Sequence, residues 1–309
     1  MSEVDVVNEV TDERTKAMGF KDARRGSTLC RVQVTATQRV SPNLIRVTVA
    51  GESLAAMPRH GYDHWFRLFL PQEHGTTSWE LPGRLGAAGY ARYLRIPAAV
   101  RPVLRNYTVR DFRPEARELD IDFVVHGDEG HASRWAQRTR AGDTVVLLDQ
   151  GRGYEFAPDT TFHLLVGDET AMPAVVGILR DLPRGARGLA IIEVPSADDA
   201  QPVDAPPGFE VRWLDRGGSH DVPGRLALEE VLAWHPADPA TLSAHVCGEH
   251  ELPTRGRRHL VAAGVPKSRI SFVGYWRADL AKYQEGEGHP AAEVAEVAEV
   301  AVERASASR

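Results

Sequence analysis

Apolar and polar residues alternate through the first half of the chain. In Leu29–Thr37, Cys30, Val32, Val34 and Ala36 alternate with Arg31, Gln33 and Thr35. Ile45, Val47 and Val49 alternate with Arg46 and Thr48, and Leu119, Ile121, Phe123 and Val125 alternate with Asp120 and Asp122. A period of two with one apolar face predicts half-buried strands. His64–Leu70, Arg105–Arg110 and Thr144–Leu148 read as further strands. Short strands punctuated by Gly, Pro and Asp between Thr28 and Tyr154 predict a small antiparallel β-barrel.

After Gly151-Arg152-Gly153 the pattern changes. Apolar runs at Phe162–Val166, Gly188–Val194, Phe209–Leu214, Leu242–Cys247 and Ile270–Tyr275 read as strands. Helical spacing occupies Ala171–Leu182, Leu226–Trp234 and Leu252–Ala263. Alternating strands and helices predict a parallel sheet covered on both faces. The expected organisation is a polar arm at 1–27, a barrel domain at 28–154, an α/β domain at 159–284 and a tail at 285–309. The tail carries six Glu against Arg304 and Arg309, and its AEVAEVAEVAVE repeat keeps no apolar stripe, so a frayed helix or disorder is expected.

The 309 residues suit two domains, and a net charge of −6 argues against a nucleic-acid partner. Cys30 and Cys247 form no CxxC and are too few for a four-cysteine iron–sulfur cluster. An acidic N-terminus without an apolar core does not read as a secretory signal, and no apolar run approaches the ~20 residues of a membrane span. A cytoplasmic monomer without membrane insertion is expected. GxxxxGK[ST], HExxH, GxSxG and GxGxxG are absent. His60 and His64 lie four apart, but Gly61 between them argues against a helix, so no metal site is expected.

Several segments could carry chemistry. Arg105 and Tyr107 share a strand face; the Arg fork suits a phosphate and the ring suits a planar heterocycle, although on these residues alone an exposed Arg beside a core Tyr is the favoured reading. His126 shares the phase of Asp122, facing away from the apolar Phe123. Gly130 leads into a helix predicted at Ala132–Arg140, whose first amides would attract phosphate. The turn Gly167-Asp168-Glu169-Thr170-Ala171 and the pair Gly248-Glu249 follow strands, where α/β sheets bind ligands. Tyr275 and Trp276 could cover a flat ring or pack between domains. Glu193 would favour an unphosphorylated ribose, whereas Arg212 and Arg216 would favour a 2′-phosphate.

In this order the segments resemble one family. RPVLRNYTVR at 101–110, DFVVHGDEGHASRWA at 122–136, GDETAMPA at 167–174, WLDRGG at 213–218, CGEH at 247–250 and GYWRADL at 274–280 are similar to the siderophore-interacting proteins. DHWFRLFLP at 63–71 looks like that family's early barrel strand. These are FAD-containing ferric-siderophore reductases of the ferredoxin–NADP reductase superfamily.

The resemblance implies that Arg105, Tyr107 and Thr108 bind FAD through phosphate, ring face and flavin edge. It places His126, with Asp122 on the same strand, beside the isoalloxazine. Gly130, Ala132 and Ser133, with Trp135 behind them, match a helix start that holds the pyrophosphate, and His131 stands where the family has proline. Asp168, Glu169, Thr170, Ala171, Gly248, Glu249, Tyr275 and Trp276 fall on the nicotinamide-nucleotide side. NAD(P)H is the implied donor and a ferredoxin the alternative. The implied substrate is an anionic ferric siderophore: residues 84–113 hold seven Arg, Arg84, Arg92 and Arg95 among them, against Asp111 alone. His64, Arg67 and Arg277 are candidates for the cleft rim. The alternatives are a flavin reductase with another acceptor, or a non-catalytic ferric-siderophore binder.

Overall fold

The computed structural model describes residues 28–125, 130–219 and 221–278. The expectations for the arm at 1–27, for His126 and for the tail at 285–309 lie outside the described residues.

The alternating first half forms one seven-stranded antiparallel sheet: β1 (Leu29–Ser41), β2 (Leu44–Ala50), β3 (His64–Leu70), β4 (Val103–Thr108), β5 (Asp111–Arg113), β6 (Glu118–Val124) and β7 (Thr144–Arg152), in the order β4-β3-β7-β1-β2-β6-β5. The sheet curls on itself, since the Arg110 amide, just past β4, donates to the Asp120 carbonyl of β6 at 2.9 Å. Val32, Val47, Phe66, Leu68, Ile121, Phe123 and Leu147 fill the barrel. Among the described residues, two α-helices belong to this half: α1 (Ala87–Leu94), which the apolar pattern does not predict, and α2 (His131–Arg138).

The second half is a five-stranded parallel sheet of β8 (Phe162–Gly167), β9 (Arg187–Val194), β10 (Gly208–Asp215), β11 (Leu242–Glu249) and β12 (Ile270–Trp276), ordered β10-β9-β8-β11-β12. One face packs on α4 (Arg225–Ala233) and α5 (Glu251–Ala262) through Ala227, Val231, Leu252 and Leu260. The other packs on α3 (Met172–Asp181) through Val175, Ile178 and Leu179, and there Leu44 of the barrel joins the same core. The halves are also joined by polar contacts. Asp199 accepts from the Ser41 hydroxyl at 2.6 Å and from the Asn43 amide at 2.9 Å, and Arg180 donates to the Arg110 carbonyl at 2.9 Å.

This union brings the carboxyl ends of β8, β11 and β12 against the start of β3. Trp65 packs there with Ala171, Ala174, Cys247 and Val273. Among the described residues, no helix is long and apolar enough to cross a membrane.

Candidate active site

Pairing of β3 with β4 sets Trp65 beside Thr108, Phe66 beside Tyr107 and Leu68 beside Arg105. Tyr107 lays its ring on Phe123 at a centroid distance of 4.4 Å, and Phe123 meets Trp135 of α2 at 5.4 Å. An aromatic row thus ties β4 to α2. The Arg105 guanidinium is half-buried and donates to the Leu104 carbonyl at 2.8 Å; no carboxylate pairs with it among the described residues.

Gly130 starts α2 with φ 76°, a left-handed value that suits glycine, and no side chain caps the helix. The first-turn amides of His131, Ala132 and Ser133 are the ones a helix leaves without intrahelical partners. Arg105 lies near enough to this turn for its charge, after burial, to help depress the His131 pKa. The His131 ring binds the Pro71 carbonyl at 2.8 Å, so the residue standing in place of proline fastens α2 to the loop after β3.

Asp63 organises the junction. Its carboxylate accepts from Thr108 Oγ1 at 3.2 Å and from the Tyr275 hydroxyl at 3.4 Å, and His245 Nε2 lies 3.3 Å away. Gly61, Tyr62 and Asp63 all have positive φ, at 65°, 43° and 56°. Such backbone costs energy outside glycine and concentrates at functional sites. It is held by the Tyr62 amide, which donates to Asp181 at 3.0 Å.

On the other side of the crevice, Asp168 gathers three strand ends. It accepts from the Thr170 amide and hydroxyl at 2.9 and 2.5 Å, from the Glu249 amide at 2.6 Å and from Trp276 Nε1 at 3.2 Å. Burial, then the charges of Glu169 and Glu193, push its pKa up to about 7 against these donors. Gly248 has φ 127°, and a Cβ there would sit 2.6 Å from the Asp168 carboxylate, so glycine is required. Glu249 accepts from the Glu251 and Ala278 amides at 2.6 and 3.1 Å. Glu169 pairs with Arg216.

Some sequence candidates sit elsewhere than expected. His64 is buried, with Nε2 2.8 Å from Asp149, and so is not on a rim. Asp122 is buried under Arg46, which donates to it at 2.7 and 2.8 Å, and Arg110 lies 3.2 Å away; its carboxylate is spent inside the barrel wall. Trp135 is buried in the barrel core. Arg212, exposed, pairs with Glu210 and Glu230. Arg84, Arg92, Arg95 and Arg277 are exposed, and half-buried Arg67 donates to the Leu85 carbonyl ahead of α1. Sequence reasoning missed Asp63 and His245, which are far apart in the chain. The available signal for Asp63 was an acid directly before an apolar strand.

Comparison with known proteins accounts for this arrangement. Residues 33–153 match the siderophore-interacting FAD-binding domain, and residues 160–279 match the siderophore-interacting protein model. The ferric vibriobactin reductase ViuB of Vibrio cholerae is 31% identical over 240 residues, covering 77% of this chain and 85% of the relative. The chain belongs to the siderophore-interacting protein family. A siderophore utilization protein from T. fusca has the same fold, with a TM-score of 0.69, 31% identity and coverage of 82% of this chain and 94% of that one. An NADPH-dependent ferric-chelate reductase of Escherichia coli is 29% identical over 248 residues, 78% of this chain and 90% of the relative.

The family's cofactor is FAD, and the residues present fit it. An arginine with no acid partner among the described residues, a helix start without a side-chain cap and the Tyr107 ring offer a cation, amide donors and a flat apolar surface.

Proposed function

We propose that this chain is a ferric-siderophore reductase that takes electrons from NAD(P)H through FAD and releases Fe(II). The observation that carries the reading is that Arg105, facing α2, and Thr108, which joins the Asp63–Tyr275 junction at the carboxyl ends of a parallel sheet, lie three residues apart on β4. The names of the V. cholerae and E. coli relatives support it.

When bound, FAD supplies acceptance of a hydride and delivery of single electrons to Fe(III). The chain's residues bind and orient. Arg105 would grip a phosphate oxygen pair, while the amides of His131, Ala132 and Ser133 would hold the pyrophosphate. Tyr107, backed by Phe123, would offer its ring to the flat part of the cofactor. Thr108 donates to Asp63, which leaves its oxygen lone pairs as acceptors, and it would offer them to the flavin edge.

Gly167–Ala171, Gly248, Glu249, Tyr275 and Trp276 would form the nicotinamide-nucleotide side. Asp168 takes the Thr170 amide there, so the turn holds itself rather than presenting a glycine-rich phosphate cradle, in keeping with the missing GxGxxG. Arg84, Arg92 and Arg95 would draw in an anionic ferric complex, with Arg67 and Arg277 nearer the cleft. Hard oxygen ligands hold Fe(II) less tightly than Fe(III), so reduction frees the metal. The reading implies a cytoplasmic monomer.

The test is anaerobic. NAD(P)H should bleach the purified yellow protein, and ferric siderophore should restore the colour while Fe(II) appears. A protein that is bleached but not reoxidised would be a flavin reductase with another acceptor. One that binds ferric siderophore and is never bleached would be a binder or would need another donor such as a ferredoxin.

A further inference from the structure

His60, His64 and Asp149 have no part in the cradle or the crevice, yet they converge. One metal-ligating atom of each lies within 4.8 Å of the others. His64 Nε2 is 2.8 Å from Asp149 Oδ1, and His60 Nε2 is 3.3 Å from Oδ2. The two rings meet edge to face at 4.8 Å between centroids. The residues come from the loop before β3, the first position of β3, and β7, so their meeting is a product of the β3–β7 pairing.

We infer that His60, His64 and Asp149 form a binding site for a first-row divalent transition-metal ion. Two imidazoles and one carboxylate are the donor set such ions accept, whereas Mg²⁺ and Ca²⁺ want oxygen and Cu(I) wants sulfur. Bonds of about 2.0–2.2 Å set ligand atoms roughly 3–3.5 Å apart around one ion, close to the two nitrogen–oxygen separations present. The two imidazoles reach different oxygens of Asp149, so closing the 4.8 Å set onto one ion calls for a ring to shift, and the exposed ring is that of His60: its side chain is 30% exposed, against 3% for His64 and 4% for Asp149. That exposure is also the access route and leaves coordination positions open to water. The Gly151 amide donates to Asp149 Oδ1 at 2.9 Å and fixes the carboxylate from behind. In the occupied site each ring presents the Nε2 lone pair, with its proton on Nδ1.

The site is one residue from the crevice, because His64 precedes Trp65, which pairs with Thr108. That its occupant in turnover is the Fe(II) released there rests on the reductase reading. The site itself rests on the geometry.

The test uses untagged, FAD-loaded protein titrated with Co(II) without oxygen, read by visible d–d absorption and by dialysis against Zn(II). One saturable equivalent of Co(II) is expected, displaced by Zn(II). In His60→Ala the affinity should fall at least tenfold, while circular dichroism and FAD content stay unchanged. No saturable binding, or equal binding in His60→Ala, overturns the inference. Asp149→Asn and His64→Gln touch buried positions and can fail to fold, so the half-exposed His60 decides. Fe(II) release from ferric siderophore is measured in parallel. Cobalt binding without reductase activity would leave the site standing and remove the reading, and the reverse result would do the opposite.

Discussion

Arg216 donates to Glu193 at 2.9 Å and to both oxygens of Glu169 at 2.7 and 2.8 Å, with its side chain only 1% exposed. The arginine follows β10, Glu193 lies on β9 and Glu169 in the turn after β8, so one guanidinium ties three strand ends together. By sequence, Glu193 and Arg216 are rival readers of the nucleotide ribose. In the fold they are each other's partner, and both side chains are buried.

Replacing Arg216 with Met should therefore act on stability. Two buried carboxylates would lose their cation, at about 3–5 kcal/mol. Urea unfolding measures this, and a loss under about 1 kcal/mol would mean that the acids find other partners. The preference between NADH and NADPH should not change.

Arg105→Ala should release FAD. A charged hydrogen bond is worth about 1.5–3 kcal/mol, or roughly tenfold to a hundredfold in Kd. Flavin content after dialysis reads the effect directly. A variant that stays fully yellow would move the phosphate contact to the α2 amides alone.

Asp168 predicts a pH dependence of defined sign. Its folded pKa of about 7 lies above the ordinary value of 3.8, so the fold favours the protonated carboxyl. Its contribution to stability is intact below pH 3.8, falls as pH rises towards 7 and is fully lost above that. The Tm of wild type minus that of Asp168→Asn should decline across this window and then level. Parallel profiles would mean that the Thr170, Glu249 and Trp276 donors keep the carboxylate ionised throughout.

Joint replacement of Arg84, Arg92 and Arg95 by Gln should raise KM for an anionic ferric siderophore at low salt. Flavin reduction by NAD(P)H should barely change. Exposed charges act over about 8 Å at physiological salt, so variant and wild type should converge as salt rises. Equal KM values at low salt would leave these arginines as ordinary solvated surface.

Much of the architecture is legible from local pattern. Alternation in Leu29–Thr37 and at Ile45–Val49 marks strands because a sheet buries every second side chain, and the apolar runs after Phe162 mark strands that parallel packing buries on both faces. Helix α1 escaped because Ala87–Leu94 spans only eight residues and carries Gly89 in its middle, and its Tyr93 is buried against barrel residues that only the fold supplies. The RNYT segment, the Gly130 helix start and the strand-end turns could be located because each is short and contiguous. What surrounds them could not. Asp122 reads as a face-exposed acid until the antiparallel register sets it opposite Arg46. Asp63 meets Tyr275 across 212 positions, and Asp149 meets His64 across 85. Local sequence determines which backbone conformation is favourable, because that depends on near neighbours. Which charges neutralise one another depends on strand pairing and domain packing, and only the tertiary structure decides that.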